Sequence, residues 1–308
     1  MRVLVTGGAG FIGSHVVEAL LGDGRQVVVV DNLSHGLRAF VPPAAEFIQG
    51  DVLEADQWAD QVGPVDAVIH LAAQISVPVS EAEPEEDVRT NVLGTVAMLK
   101  LAHRLGAREF RFASSAAVYG DNPHVPLAEE ASGDPLSYYG LDKWLAEFYV
   151  RHEERVRGLK GTVLRMANVY GPRQRTQGEG GVVAMFSEAL AQGLAPTIFG
   201  DGMQTRDFIA VADVARAFTH RLGEREPGGT YNIATETATT VGEVWRILAT
   251  EAGADPARIN YGPDRPGDIR HSRLKIARAL AWGFRATVPL PEGLKETYAY
   301  FRKVASQG

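Results

Sequence analysis

The chain reads as an α/β protein, a doubly wound parallel sheet with a smaller, partly discontinuous C-terminal lobe. Three observations lead there. Short β-branched runs alternate with amphipathic helical stretches through the first half, the rhythm of strands joined by crossover helices. The first of these runs passes directly into a glycine cluster that opens a helix. After residue 166 the alternation loosens into loops rich in Gly, Pro, Arg and Gln, separated by short helices.

Taken in order, Arg2–Thr6, Gln26–Asp31, Glu46–Gln49, Ala67–Leu71, Glu109–Ala113 and Thr162–Arg165 have the character of buried strands. Between them Phe11–Leu21, Val88–Leu105 and Tyr139–Arg157 carry apolar residues at helical spacing. Further on, Gly171–Gly181, Thr197–Arg206 and Tyr261–Asp268 read as loops. Thr240 followed by Glu243 is a capping signal for a helix through Val244–Leu248. The expected division is a first domain over residues 1–165, joined by residues from about 210 to 235, and a second lobe over 166–308.

Composition narrows the function classes. The 308 residues are 45% hydrophobic and 22% charged, ordinary globular material, and contain no cysteine, which removes disulfides and thiolate metal sites. A net charge of −7 argues against a nucleic-acid or anionic-membrane partner, both of which require a basic surface. The opening MRVLVTGGAGFIG is apolar but broken by glycine and lacks a signal-peptide cleavage pattern, and no apolar run reaches the ~20 residues a membrane span needs. The expectation is a cytoplasmic protein with no membrane contact.

In TGGAGFIG, Gly8, Gly10 and Gly13 fit GxGxxG, and Gly7, Gly10 and Gly13 fit GxxGxxG. Such glycines make a tight turn, let backbone approach a pyrophosphate and keep helix against strand, while the helix N-terminus offers N–H donors to phosphate. Asp31 ends the next strand 18 residues beyond Gly13, where an acid holds a ribose 2′-hydroxyl and disfavours a 2′-phosphate. The first domain is therefore expected to be a Rossmann-type unit that binds NAD.

Tyr139 and Lys143 lie four residues apart on one helix face. A free phenol, with a pKa of about 10, is a poor base at neutral pH; a neighbouring ammonium favours the phenolate. With Ser115 at the end of an earlier strand the three make a dehydrogenase-type set: Ser115 hydrogen-bonds the reacting hydroxyl, Tyr139 removes its proton and Lys143 tunes Tyr139. Ser114 is expected to support Ser115.

TGGAGFIG, Asp31, Gly50-Asp51-Val52, HLAA at 70–73, SSAAVYG, YYGLDK at 138–143 and RMANVYGPRQ at 165–174 together resemble the extended short-chain dehydrogenase/reductases. Among these the chain is most similar to the UDP-glucose (UDP-galactose) 4-epimerases. The resemblance implies a homodimer built through a four-helix bundle, with Val96, Leu99 and Phe148 as candidates for its face. It implies that the cofactor is held by Gly7, Gly10, Phe11, Ile12, Gly13, Asp31, Asn32, Asp51, Val52, Leu71, Ala72, Ala73 and Asn91, besides Tyr139 and Lys143. For a UDP-sugar it implies Asn168 at the diphosphate, Gly181-Val182-Val183 at the nucleotide, and Phe199 near the uracil. Arg206 and Arg265 would clamp the diphosphate, Asp268 would bond the ribose, and Ser115 and Tyr139 would meet the sugar. The guanidinium fork suits a phosphate clamp independently of any resemblance.

Ala116 and Ala117 stand where sugar-nucleotide dehydratases of this family carry carboxyls, and an alanine neither gives nor takes a proton. That favours 4-epimerisation through a 4-keto sugar, an isomerase activity, over loss of water. Ser272 stands where galactose epimerases often carry Tyr, leaving room for an N-acetyl group. Arg175 matches a position where uronate epimerases carry Arg. A UDP-glucuronate 4-epimerase and a non-epimerising nucleotide-sugar oxidoreductase are the alternatives, and a non-catalytic NAD sensor is disfavoured by the intact Ser115, Tyr139 and Lys143.

Overall fold

The computed structural model describes residues 1–176, 181–264 and 269–307. In chain order the elements are β1 (Arg2–Thr6), α1 (Phe11–Gly22), β2 (Gln26–Asp31), β3 (Glu46–Gln49), α2 (Ala55–Val62), β4 (Ala67–His70), α3 (Val77–Ala82), α4 (Pro84–Val88), α5 (Gly94–Arg104), β5 (Glu109–Ser115), α6 (Tyr138–Arg157) and β6 (Lys160–Met166). There follow β7 (Asn168–Tyr170), α7 (Val182–Ala191), β8 (Thr197–Phe199), β9 (Thr205–Arg206), β10 (Phe208–Ala210), α8 (Val211–Thr219) and β11 (Thr230–Ile233). The chain ends with β12 (Thr239–Thr240), α9 (Val241–Ala252), β13 (Asn260–Gly262), α10 (Ala277–Ala281) and α11 (Leu290–Ala305). Among the described residues no helix is long and apolar enough to cross a membrane.

Two compact units result: Met1–Tyr119, Ser132–Met166 and Val214–Tyr231 form the first, and Gly120–Ala131, Ala167–Asp213 and Asn232–Gly308 the second. Gly120–Ala131, which lies inside the expected 1–165 domain, goes with the second unit because Leu127 bridges Leu274 and the Glu129 carboxylate accepts the Asn232 N–H at 2.8 Å.

The first unit is the expected doubly wound sheet. Seven strands lie in the order β11-β6-β5-β4-β1-β2-β3, with parallel pairing of β3 to β2, β2 to β1, β1 to β4, β4 to β5 and β5 to β6. Parallel strands bring their carboxyl ends to one edge, so Thr6, Asp31, His70 and Ser115 all finish there, at the edge where open α/β sheets bind ligands. Core residues such as Leu4, Val28, Val68, Phe110, Phe112 and Val163 are under 2% exposed. This dry interior fixes the strand ends that carry the site.

Three differences from the sequence reading have local causes. The strand expected to stop at Ala113 continues through Ser115, because Ser114 and Ser115 pair with Arg165 and Met166 of β6 and neighbouring strands override weak serine propensity. The single helix expected over Val88–Leu105 is interrupted by a π-helical turn at Arg89–Leu93, where Thr95 Oγ1 donates to the Asn91 carbonyl at 2.6 Å. Leu99, expected on a dimer face, is 2% exposed and belongs to the core; Phe148 is 58% exposed.

The second unit packs α7, α9 and α11 around Tyr170, Phe186, Phe208, Trp245, Leu248 and Leu294, beside three two-stranded pairings. Thr240 caps α9 as expected, its Oγ1 accepting the Glu243 N–H at 3.0 Å.

Candidate active site

The glycine cluster forms a cradle that side chains would fill. Gly7 has φ +71°, and a Cβ there would stand 2.6 Å from the Ala72 nitrogen; one on Gly13 would stand 2.0 Å from the Gly7 carbonyl oxygen. Gly10 caps α1, and among the described residues no side chain takes up the first-turn N–H groups, which is the donor arrangement a pyrophosphate requires. Beside it the Asp31 carboxylate accepts the Ala9 N–H at 3.0 Å and the Leu33 N–H at 2.8 Å, which fixes it at the end of β2 with lone pairs remaining for ribose hydroxyls. Asn32 Nδ2 donates to Asp51 at 2.8 Å, while Val52 turns into the core, so Asp51 rather than Val52 offers polar atoms there. Phe11 and Ile12 are half-buried on the first turn of α1.

The wall at residues 71–73 is held by a chain of hydrogen bonds with a defined direction. Thr95 Oγ1 gives its proton to the Asn91 carbonyl, so it accepts from His70 Nε2 at 3.2 Å. His70 Nδ1 is then the acceptor for Thr6 Oγ1 at 2.7 Å, and Thr6 Oγ1 in turn accepts the Ala72 N–H at 3.4 Å. The neutral Nε2–H tautomer is the one this chain requires. Burial, assisted by the Lys143 charge, pushes the imidazole down to about 3. The Asn91 amide clasps both backbone groups of Gln74, accepting from N at 3.0 Å and donating to O at 2.9 Å. The π turn aims Asn91 at that backbone.

Tyr139 and Lys143 sit on the first two turns of α6. Ser137 caps the helix, accepting the Gly140 N–H at 3.1 Å, and Glu81 accepts the Tyr138 N–H at 3.0 Å. Gly140 is required for contact: a Cβ there would stand 2.8 Å from the Ala117 carbonyl, so the first turn of α6 lies directly on the short 3-10 turn that follows Ser115. Lys143 is 4% exposed; its Nζ donates to the Ala113 carbonyl at 3.1 Å and lies 5.1 Å from the Phe112 ring and 5.9 Å from the Tyr139 ring. Burial pulls its pKa down to about 8, an effect that Asp87 opposes. Ser115 Oγ accepts the Ala117 N–H at 3.1 Å, which leaves its own proton to donate.

Ser114 has a different role from the supporting one expected. Alternation along β5 turns it away from Ser115, and its hydroxyl, 1% exposed, donates to Glu147 Oε1 at 2.5 Å. Glu147, one turn beyond Lys143, forms a buried pair with Arg165 of β6, Nη2 to Oε2 2.7 Å and Nε to Oε1 2.9 Å. Arg165 Nη1 donates to the Tyr119 hydroxyl at 2.9 Å. Neither this cluster nor the Gln74–Asp87 contact was singled out in the sequence, although Tyr139, Lys143 and Glu147 repeat at four-residue spacing on α6.

Besides Ser115 and Tyr139, the described residues expected to meet a nucleotide sugar lie in the second unit. Asn168 is exposed and bonded through its N–H to the Asp207 carbonyl at 2.9 Å. Gly181 caps α7, Val182 is half-buried, and Val183 is 2% exposed in the core, so Val183 offers backbone only. Phe199 ends β8. Ser272 N–H donates to the Thr205 carbonyl at 3.1 Å, which brings Ser272 beside Arg206. Arg265 and Asp268 lie outside the described residues. Asp207, missed in the sequence, ties these pieces together: its carboxylate accepts from Thr235 N at 2.9 Å, Thr235 Oγ1 at 2.7 Å, Glu236 N at 3.0 Å and Leu274 N at 3.4 Å. Burial raises its pKa to about 6 against the pull of those donors.

Comparison with known proteins follows the same lines. The model of a family described as NAD dependent epimerase/dehydratase matches residues 3–234. The chain is 40% identical to a UDP-glucose 4-epimerase of Mycolicibacterium smegmatis over 98% of this chain and 99% of that protein. Among solved structures it is similar to the UDP-glucose 4-epimerase of Thermotoga maritima with UDP-glucose, at TM-score 0.94 and 41% identity with 99% of each chain covered. It is similar also to the UDP-N-acetylglucosamine 4-epimerase of Methanobrevibacter ruminantium in complex with UDP-N-acetylmuramic acid, at TM-score 0.93 and 34% identity with 98% of each covered.

Proposed function

The chain belongs to the NAD dependent epimerase/dehydratase family, and from that premise we propose that it is a UDP-hexose 4-epimerase, an isomerase that inverts the sugar at C4. The observation that carries this is an intact Ser115, Tyr139 and Lys143 set next to Ala116 and Ala117, which have no carboxyl with which to expel water. NAD held at the glycine cradle, Asp31 and the 71–73 wall supplies, when bound, a reversible hydride acceptor. The protein's own part is proton handling and positioning. Lys143, an ammonium below its pKa of about 8, favours the Tyr139 phenolate, which takes the proton of the C4 hydroxyl and later returns it. Ser115 donates to the same sugar oxygen and holds it as it becomes a carbonyl. Arg206 and Asn168 bind the diphosphate, so that the 4-keto sugar turns over without leaving.

The small Ser272 beside Arg206 supports acceptance of N-acetylhexosamine nucleotides as well. Purified protein offered UDP-galactose, UDP-N-acetylgalactosamine and UDP-galacturonate should invert C4 of the first two; inversion of none refutes the assignment, and inversion of the uronate alone favours a uronate epimerase. Ser272→Tyr should lower kcat/KM for the N-acetyl substrate about tenfold or more relative to the hexose, and an unchanged ratio refutes the role of Ser272. Exposed Leu93 before α5 and Leu145, Phe148, Tyr149 and Val156 on α6 support a homodimer through a four-helix bundle. The cysteine-free composition supports a cytoplasmic setting.

A further inference from the structure

Behind the Tyr139–Lys143 face lie two acids that the reaction above does not use. Asp87 of α4 is 0% exposed and Asp142 of α6 is 3% exposed, and the two carboxyls lie close enough for the charge of one to act on the other. Asp87 Oδ1 accepts from Gln74 Nε2 at 2.5 Å. The Oδ2 atoms of both aspartates are buried and have no donor among the described residues. Two neighbouring buried carboxylates repel each other, and two buried acceptors without a donor are costly; one proton between them relieves both.

We propose that Asp87 and Asp142 are a carboxyl–carboxylate pair sharing a single proton, and that its one net negative charge is the counter-charge that keeps Lys143 an ammonium beside Tyr139. Asp142 and Asp87 are thus positioning residues that act through Lys143. This rests on the epimerase reading only for its effect on rate. The single charge is what the site needs. With none, buried Lys143 loses the acidic charge that opposes its desolvation and gives up its proton more readily; with two, the added negative charge disfavours the Tyr139 phenolate. Burial, then the neighbouring Asp87 carboxyl, raises Asp142 to about 7, consistent with a retained proton.

Other titratable groups on the surrounding elements do not replace the pair. His70 of β4 is neutral, Glu147 is committed to Arg165, Glu81 of α3 caps Tyr138, and Arg89 faces Glu86 on the outside of α4 at 3.7 Å. Through Gln74 and the Asn91 clasp the pair is also connected to the backbone that follows the 71–73 wall.

The test compares the wild type with Asp142→Asn, whose amide donates to Asp87 and fixes the charge at one, and with the double variant Asp87→Asn/Asp142→Asn, which removes it. The first readout needs no activity. A shared proton is kept by the folded wild type but lost by the unfolded chain in the acid range, so wild-type stability falls as pH rises from about 4 to 7. The Tm of Asp142→Asn minus that of the wild type should therefore increase by several degrees across this window; a constant difference overturns the shared proton. The second readout is the pH profile of kcat with UDP-galactose. The double variant, in which Lys143 gives up its proton at lower pH, should move the basic limb down by about one pH unit with KM changed less than twofold, and Asp142→Asn by less than a third of that. Superimposable profiles for all three proteins overturn the link to Lys143. A wild type inactive on every UDP-sugar overturns the epimerase reading instead, and leaves the Tm comparison as the test of the pair.

Discussion

Replacing Glu147 by Gln removes the charge that Arg165 was buried to meet. The guanidinium has a side chain 9% exposed, the carboxylate one 6% exposed, and they are joined by contacts of 2.7, 2.9 and 3.2 Å. Breaking a buried pair from one side costs about 3–5 kcal/mol, because the remaining ion is left desolvated. A chain of this size loses roughly 2–4 °C of Tm per kcal/mol, so Glu147→Gln should melt about 6–20 °C lower while remaining folded at 25 °C. A second arm separates stability from function. Glu147→Met with Arg165→Met and Ser114→Ala removes both charges and the hydroxyl together, and apolar replacement of a buried pair is often neutral in stability. This triple variant should recover most of the lost Tm. It should not recover kcat, because Ser114 of β5, Tyr119 of the following turn, α6 and β6 are no longer tied together around Ser115 and Lys143. A displacement of about 1 Å at reacting groups costs on the order of 100-fold in rate. Thermal melts and kcat with UDP-galactose are the assays. A Glu147→Gln melt within 2 °C of the wild type, on the order of half a kcal/mol, would refute the buried-pair energetics, and wild-type kcat in the triple variant would refute positioning.

Two other outcomes follow from the same geometry. Tyr139→Phe should lower kcat by about 100-fold or more with Tm within about 2 °C, since it removes the base but keeps the ring; kcat within tenfold of the wild type would show that another group takes the proton. Folded His70 stays neutral down to about 3 while the unfolded imidazole protonates near 6.5, so its contribution to stability is lost as pH falls through that window. Relative to the non-titrating variant His70→Gln, the wild type should lose about 2.5 kcal/mol between pH 7 and 4.5, and denaturant melts showing parallel acid losses would contradict the buried neutral imidazole.

Much of the first unit was legible because its signals are local. TGGAGFIG, Asp31 and the Tyr139/Lys143 spacing each name a chemistry that one strand, turn or helix delivers unaided. What escaped depends on partners distant in sequence. The role of Ser114 is decided by Glu147 and Arg165, which no window around Ser114 contains, and the shared proton of Asp142 by Asp87, which no window around Asp142 contains. The π turn that aims Asn91 interrupts a pattern still periodic enough to read as one helix. Leu99 and Phe148 illustrate the limit of face assignment: both are apolar on neighbouring helices, yet one fills the core and the other is exposed. In the second unit, Ser272 is brought beside Arg206 by the bonding of Thr205 to residues 270–272, which no spacing in the sequence announces.

The central claim, that this protein oxidises and re-reduces the same sugar carbon, is tested most directly with UDP-galactose deuterated at C4. The account predicts UDP-glucose that keeps the deuterium at C4, with no 6-deoxy-4-keto product. UDP-glucose carrying hydrogen from solvent at C4, or a dehydrated product, would contradict it.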